Sequence, residues 1–268
     1  MQLHLSSWPE IDKYLETSKA ILIPIGSTEQ HGPNGLLGTD ALCPEIIAKR
    51  AGDESGILVG PTFNVGQAQH HMAFSGTITL RPSTMIAAMM DWTQSLRRHG
   101  FERIYWLNGH GGNINTINAA FSEIYHGVTF RDSGDRSGSN QPPLRCMLRN
   151  WWELSGVNDV CRQLFPVGEG SHATPSEVSV TYFGYPEAVK RVDMSPKIAP
   201  NGPILDAEDY RRRFPDGRIG SDPSQASVEA GEKIVNAAVP ALIADFQEFA
   251  AIETRDDDAQ KGSARCLS

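Results

Sequence analysis

The stretch Gly26-Ser27-Thr28-Glu29-Gln30-His31-Gly32-Pro33, closing with Gly38-Thr39-Asp40, sets two carboxylates and an imidazole in one short loop. Glu29 and His31 are two apart. In extended backbone, residues i and i+2 project to the same side, so both can address one point. Asp40 stands at the far end of the loop, near a helix start. A nitrogen and oxygen donor set of this kind suits a divalent cation such as zinc or manganese. Glycine and proline between the donors let the loop return tightly. The same residues also fit a polar surface loop in which Glu29 and His31 only form hydrogen bonds.

Two further stretches carry chemistry. In Asn108-Gly109-His110-Gly111-Gly112-Asn113 a histidine lies among glycines, which let a ligand or metal approach the backbone closely. A helix that follows would add amide donors for an anion. A plain strand-to-helix turn reads the same way, and the spacing is neither a phosphate loop nor a dinucleotide fingerprint. In Gly168-Glu169-Gly170-Ser171-His172-Ala173-Thr174-Pro175-Ser176-Glu177, Pro175 marks a loop turning into a helix. His172 then hangs on the loop and Glu177 sits on the first turn. An imidazole near an activated water is a proton carrier at neutral pH; a capping acid beside a surface histidine is the plainer alternative. His70 and His71 either line a pocket or face solvent. Trp151 and Trp152 stack on a planar substrate or pack in the core. No Gly-x-Ser-x-Gly elbow is present, against a serine hydrolase of the α/β-hydrolase type.

These loops need strand ends to hang from. Ala20 to Gly26 is a short apolar run that suits a strand buried on both faces, with Pro24 tolerable at an edge or bulge. Asp40 to Ala51 reads as a helix capped by Thr39 or Asp40. Ile57 to Gly60 is a second strand. Ser83 or Thr84 caps a helix that runs to Arg98 and ends at Gly100. Arg103 to Leu107 is a strand running into the His110 turn, and Ile114 to Tyr125 the next helix. Leu144 to Leu148 is another strand, so the Gly/Ser/Pro-rich stretch 131–143 reads as a mobile loop. Residues 195–224 read as a surface wrap. Ser224 to Ala250 has helical apolar spacing with a break at Pro240. Alternating strands and helices predict a parallel or mixed sheet covered by helices on both faces, with ligands at the carboxyl ends of the strands.

Composition narrows the function. The chain has 268 residues, which fits one α/β domain, here 1–253, followed by a charged tail at 254–268 read as disordered. With Lys+Arg 24 against Asp+Glu 32 the net charge is −8, which disfavours nucleic acid or an anionic membrane as partner. No apolar run reaches the roughly 18 residues that span a bilayer, and the N-terminus lacks a signal-peptide pattern. The four cysteines are scattered, with Cys43 and Cys146 in apolar stretches, so neither a zinc ribbon nor a disulfide framework is signalled. A cytoplasmic enzyme or binding protein is expected.

Taken in order, Glu29-Gln30-His31-Gly32-Pro33 with Gly38-Thr39-Asp40, Phe74-Ser75-Gly76-Thr77, Asn108 to Asn113 and His172 to Glu177 resemble the creatininase family, the creatinine amidohydrolases. The resemblance spans about residues 20–180. It implies a three-layer α/β/α sandwich, a small-molecule amide substrate, hydrolysis of a non-peptide C–N bond, two divalent cations per chain (zinc, manganese or iron) and a homo-oligomer, often a hexamer. By position, Glu29 and His110 would hold one cation, His31 the second, and Asp40 would bridge them. His172 matches the proton-transferring histidine, and Glu177 the acidic position after it. Gly111 and Gly112 would offer backbone amides to the substrate, with Trp151, Trp152 and His71 beside it. Creatininase itself has a glutamate where this chain has Gly112, so Glu177 or water would complete the second site. Relatives with His-Gly-Gly here act on other compounds, including formamidopyrimidine intermediates and small peptides. A cyclic or formylated amide is the expected substrate; a catalytically silent metal-binding protein of the same fold is the alternative.

Overall fold

The structure is a computed structural model of the chain and describes residues 1–129 and 144–251. The loop read at 131–143 and the tail at 254–268 lie outside the described residues. The elements run α1 (Trp8–Thr17), β1 (Ala20–Ile25), α2 (Thr39–Ser55), α3 (Pro82–Arg98), β2 (Arg103–Asn108), α4 (Ile114–Thr129), β3 (Arg145–Asn150), α5 (Val157–Leu164), α6 (Pro175–Gly184), α7 (Ala207–Arg213) and α8 (Val228–Ala251).

The three strands form a parallel sheet in the order β1-β2-β3, in register from Ala20 against Arg103 and Arg103 against Arg145. Successive side chains along a strand point to opposite faces. Ala20, Leu22, Tyr105 and Leu107 therefore join a core with α2, α5 and α8. Ile21, Ile23, Ile25, Ile104 and Trp106 join a second core with α3 and α4. This is the expected α/β/α sandwich. All six positions of β1 and of β2 are buried, and each fully buried Ile or Leu contributes about 1.5–3 kcal/mol.

Several elements differ from expectation for local reasons. Ile57 to Gly60 is no ladder strand: Val59 bridges Leu22 and Gln2, and Phe63 bridges Ile25. Pro24 explains it, since Leu22 donates to Leu58 and Gly26, just past β1, to Phe63, while Pro24 between them has no N–H to give. The helix cap is neither Thr39 nor Asp40: Gly38 holds that place without a side-chain bond, which frees the Asp40 carboxylate. Arg81, not Ser83 or Thr84, precedes α3, with Pro82 at the first turn where its missing N–H costs nothing. α8 runs unbroken through Pro240, which lies on its exposed side while Ile234, Val235, Leu242, Phe246 and Phe249 stay in the core. That helix is long and apolar enough to cross a membrane, but it is a core helix here. Residues 195–224 are more than a wrap: Tyr210, Phe214 and Ile219 form a small core with Phe74, and Arg218 is fully buried.

Candidate active site

The ends of β1 and β2 meet the first turn of α2 at two glycines. A Cβ on Gly26 would fall 2.2 Å from the Asp40 carbonyl oxygen, and one on Gly109 only 1.9 Å from it. Only glycine lets the helix start approach this closely. The contact sets Asp40 between the loop that leaves β1 and the loop that leaves β2. The Asp40 carboxylate then meets two histidines, His31 Nε2 at 2.9 Å from Oδ1 and His110 Nδ1 at 2.8 Å from Oδ2.

Both rings are committed on their other nitrogen. His31 Nδ1 lies 3.1 Å from the Glu29 carbonyl, and His110 Nε2 3.0 Å from the Gln67 carbonyl. A neutral imidazole has one proton. If that proton goes to the carbonyl, a bare lone pair faces a carboxylate oxygen across less than 3 Å. The arrangement is attractive only with a positive charge between nitrogen and oxygen, either a second proton or a cation. Electrostatics agree. Burial opposes charge on His31 and His110, but Asp40, Glu177 and Glu29 around His31, and Glu29 and Asp40 around His110, outweigh it and push the two imidazoles up to about 10 and about 9. Burial likewise works against the Asp40 anion, yet His31 and His110 hold its carboxyl well below the usual range.

Glu29 completes this side and opens another. Its buried carboxylate, pushed up to about 8 by desolvation, has Oε2 3.3 Å from His110 Nε2 and Oε1 3.0 Å from His71 Nε2. Neither oxygen, nor Asp40 Oδ2, has a well-aligned hydrogen-bond partner. Buried carboxylate oxygens without partners are costly unless they meet a cation. Ligand atoms of Glu29, His31 and Asp40 lie within 4.8 Å of one another, as do those of Glu29, His71 and His172. These residues fit a divalent metal. His172 Nδ1 stands 3.9 Å from Glu29 Oε1. Burial, with other histidines nearby, drives the His71 and His172 rings down toward neutrality.

A cavity of about 540 Å³ opens over this cluster. Its lining includes Asp40, His71, His110, Gly111, Gly112 and His172, together with Trp151, Trp152 and Glu177. Trp151 is buried and meets Trp152 edge-on at 6.0 Å, so Trp151 is both core and wall. Glu177 lines the cavity but stands outside both ligand groups. Its Oε1 accepts the Thr174 N–H at 2.6 Å, and the Thr174 hydroxyl caps the Glu177 N–H in return. A side chain at Gly112 would put its Cβ 2.4 Å from His110 Nε2, so no residue there supplies a ligand while His110 keeps its place. Burial pushes the Cys161 thiol beside the cavity up to about 12, which leaves no thiolate nucleophile.

Sequence reasoning missed Gln30, Gln67 and Tyr210. The Gln30 amide lies at the centre of the second group. Its Oε1 accepts the Gly32 N–H at 2.9 Å, while its Nε2 is 2.9 Å from His71 Nδ1, 2.9 Å from His172 Nε2, 3.0 Å from the Gly217 carbonyl and 3.1 Å from the Tyr210 hydroxyl. Flanked by Glu29 and His31, Gln30 reads in sequence as a spacer. Gln67 acts through its carbonyl, which no residue type reports, and Tyr210 comes from a segment with no apolar period.

The family model for creatininase, described as creatinine amidohydrolase, matches residues 4–246. A creatinine amidohydrolase from Pseudomonas putida is 26% identical over 88% of this chain and 92% of its own length. A mycofactocin precursor peptide peptidase from Mycobacterium ulcerans is 26% identical over 85% of this chain and 81% of its own. A solved creatininase in its manganese form superposes with a TM-score of 0.78 at 24% identity, over 93% of this chain and 98% of that one.

Proposed function

The chain belongs to the creatininase family of hydrolases, and from that premise we propose that it is a divalent-metal-dependent amidohydrolase cleaving a C–N amide bond of a small substrate, cyclic or formylated. The observation that carries this reading is the pair His31 and His110, each turned on Asp40 with its other nitrogen on a backbone carbonyl. A ligating histidine that donates its second N–H to a carbonyl has a fixed ring and tautomer. Glu29, Asp40 and His110 would hold one cation, and His31 and Asp40 the other. When bound, such cations polarise an amide carbonyl and make water a nucleophile at neutral pH.

The protein's own groups do the rest. Gly111 carries no side chain to obstruct the cavity, so its backbone can approach a substrate oxygen. His172, neutral and turned on Glu29 through Nδ1, takes up a proton there and returns it to the leaving nitrogen. Trp152 offers a flat wall to a planar amide. The cavity volume suits a small ligand.

The test is turnover of an amide panel, with creatinine, formylated amides and short peptides, before and after chelation. Activity should vanish with the metal and return with zinc or manganese. Activity that survives complete chelation overturns the reading. The second reading, a catalytically silent metal-binding protein of the same fold, is favoured by Gly112, where the cluster gains no further carboxylate. One tightly bound ion per chain with no turnover across the panel would decide for it.

A further inference from the structure

We propose that Gln30 is a positioning residue that sets which nitrogen carries the proton on both His71 and His172. The argument is an accounting of donors. Gln30 Oε1 accepts the Gly32 N–H at 2.9 Å, which fixes the amide orientation and turns its NH₂ toward the histidines. His172 Nε2 lies 2.8 Å from the backbone carbonyl of Gln30, an acceptor only, so Nε2 carries the His172 proton. With that proton in place, His172 Nε2 offers no lone pair to the Gln30 amide despite the 2.9 Å separation. The two amide protons then have His71 Nδ1 at 2.9 Å and the Gly217 carbonyl at 3.0 Å. The Tyr210 hydroxyl, 3.1 Å away, already donates to the same Gly217 carbonyl at 2.8 Å.

Two consequences follow for the site. His71 accepts at Nδ1, so its proton sits on Nε2, which lies 3.0 Å from Glu29 Oε1 without the alignment of a hydrogen bond. His71 therefore meets Glu29 with its protonated nitrogen, which has no lone pair left for a cation. His172 is left with a bare Nδ1 facing Glu29, the only form of the neutral ring able to take up a proton on that side. One residue thus turns a protonated nitrogen toward Glu29 through its side chain and a bare nitrogen toward the same carboxylate through its backbone.

The role of His172 in this picture rests on the hydrolase reading; the proton positions do not. They are read without turnover, by long-range ¹H–¹⁵N correlation of histidine-labelled full-length protein, chelated and again zinc-loaded. Peaks are assigned by their loss in His71→Asn and His172→Asn. The expected result is a protonated Nε2 and unprotonated Nδ1 on both rings. A proton on Nδ1 of either ring overturns the proposal. Gln30→Glu supplies the second arm, because it replaces the NH₂ donor by an acceptor. His71 should then move its proton to Nδ1, while His172, held by the backbone carbonyl, keeps its proton on Nε2. An unchanged His71 pattern in Gln30→Glu overturns the proposal. An inactive wild type with the expected proton positions would sink the hydrolase reading and leave Gln30 standing.

Discussion

Asp40 and Gln30 each stand between two histidines and hold them by opposite means. Asp40 draws His31 and His110 toward positive charge, with both rings braced from behind by backbone carbonyls. Gln30 holds His71 and His172 as neutral rings, braced by an amide and a carbonyl of one residue. Glu29 touches both groups. Four imidazoles close together thus separate into two that want a cation and two suited to moving or donating a single proton. Environment, not residue type, makes the difference.

The sharpest way to break this contrast is Asp40→Ala. It removes the charge both ligand rings face and should abolish binding of both cations, with activity falling about 10³-fold or more. Metal analysis of the purified variant checks it, and two ions per chain would refute the division. Next in size, His172→Asn should lower kcat by about 10²–10⁴-fold while metal content stays at the wild-type level. Loss of metal in that variant would move His172 to the Asp40 side.

In sequence, the Asp40 side was legible, and of the other side His71 and His172 could be named but not the Gln30 that joins them. Glu29, His31, Asp40 and His110 lie in short loops at the ends of β-branched runs, so spacing alone brings them to one edge of a parallel sheet. The sandwich was legible for a related reason: β1 is apolar throughout and β2 from Ile104 to Leu107, which suits strands covered on both faces. Gln30 acts through three partners far away in the chain, and nothing local marks it. Tyr210 and Arg218 come from a Pro/Gly-rich, charged stretch that reads as surface. Arg218 is buried there because Asp216 and the carbonyls of Pro196, Lys197 and Ser221 take its donors. Periodicity cannot reveal a buried arginine satisfied by backbone.

Acidity separates the two sides more gently. In the chelated protein, His31 and His110 are raised to about 10 and about 9, so their contribution to stability is present below the ordinary histidine range and is lost as pH rises through those values. Glu29, raised to about 8, acts in the same sense. His71 and His172 are depressed, so their contribution is present above the ordinary histidine range and is lost as pH falls below it. Thermal melts of the chelated protein should therefore fall on both limbs, and Asp40→Asn should flatten the alkaline one. A wild-type melting temperature that does not drop between about pH 7 and about pH 10 counts against the buried ion pairs. Zinc should restore that limb by taking the place of the protons.

The smallest expected effect tests Glu177. Thr174→Ala removes the cap of α6 and should cost about 1 kcal/mol in denaturant unfolding, with metal content unchanged. A change in metal stoichiometry would show that the Glu177 carboxylate belongs with the ligands rather than with the cap.

His172 is borne by a different part of the molecule from the residues proposed to hold the cations. Its carbonyl accepts the Ser221 hydroxyl at 2.6 Å, its neighbour Ser171 donates to Ile219 at 3.0 Å, and Arg218 ties that segment down. Glu29, Asp40 and His110 instead hang from the sheet and the helix wedged against it. The proposed hydrolytic centre is thus a vice with one jaw cast into the frame and one bolted on. Substitutions between residues 195 and 222 would reach the site through the Ser221 bond to His172 and through the Gly217 carbonyl that meets Gln30.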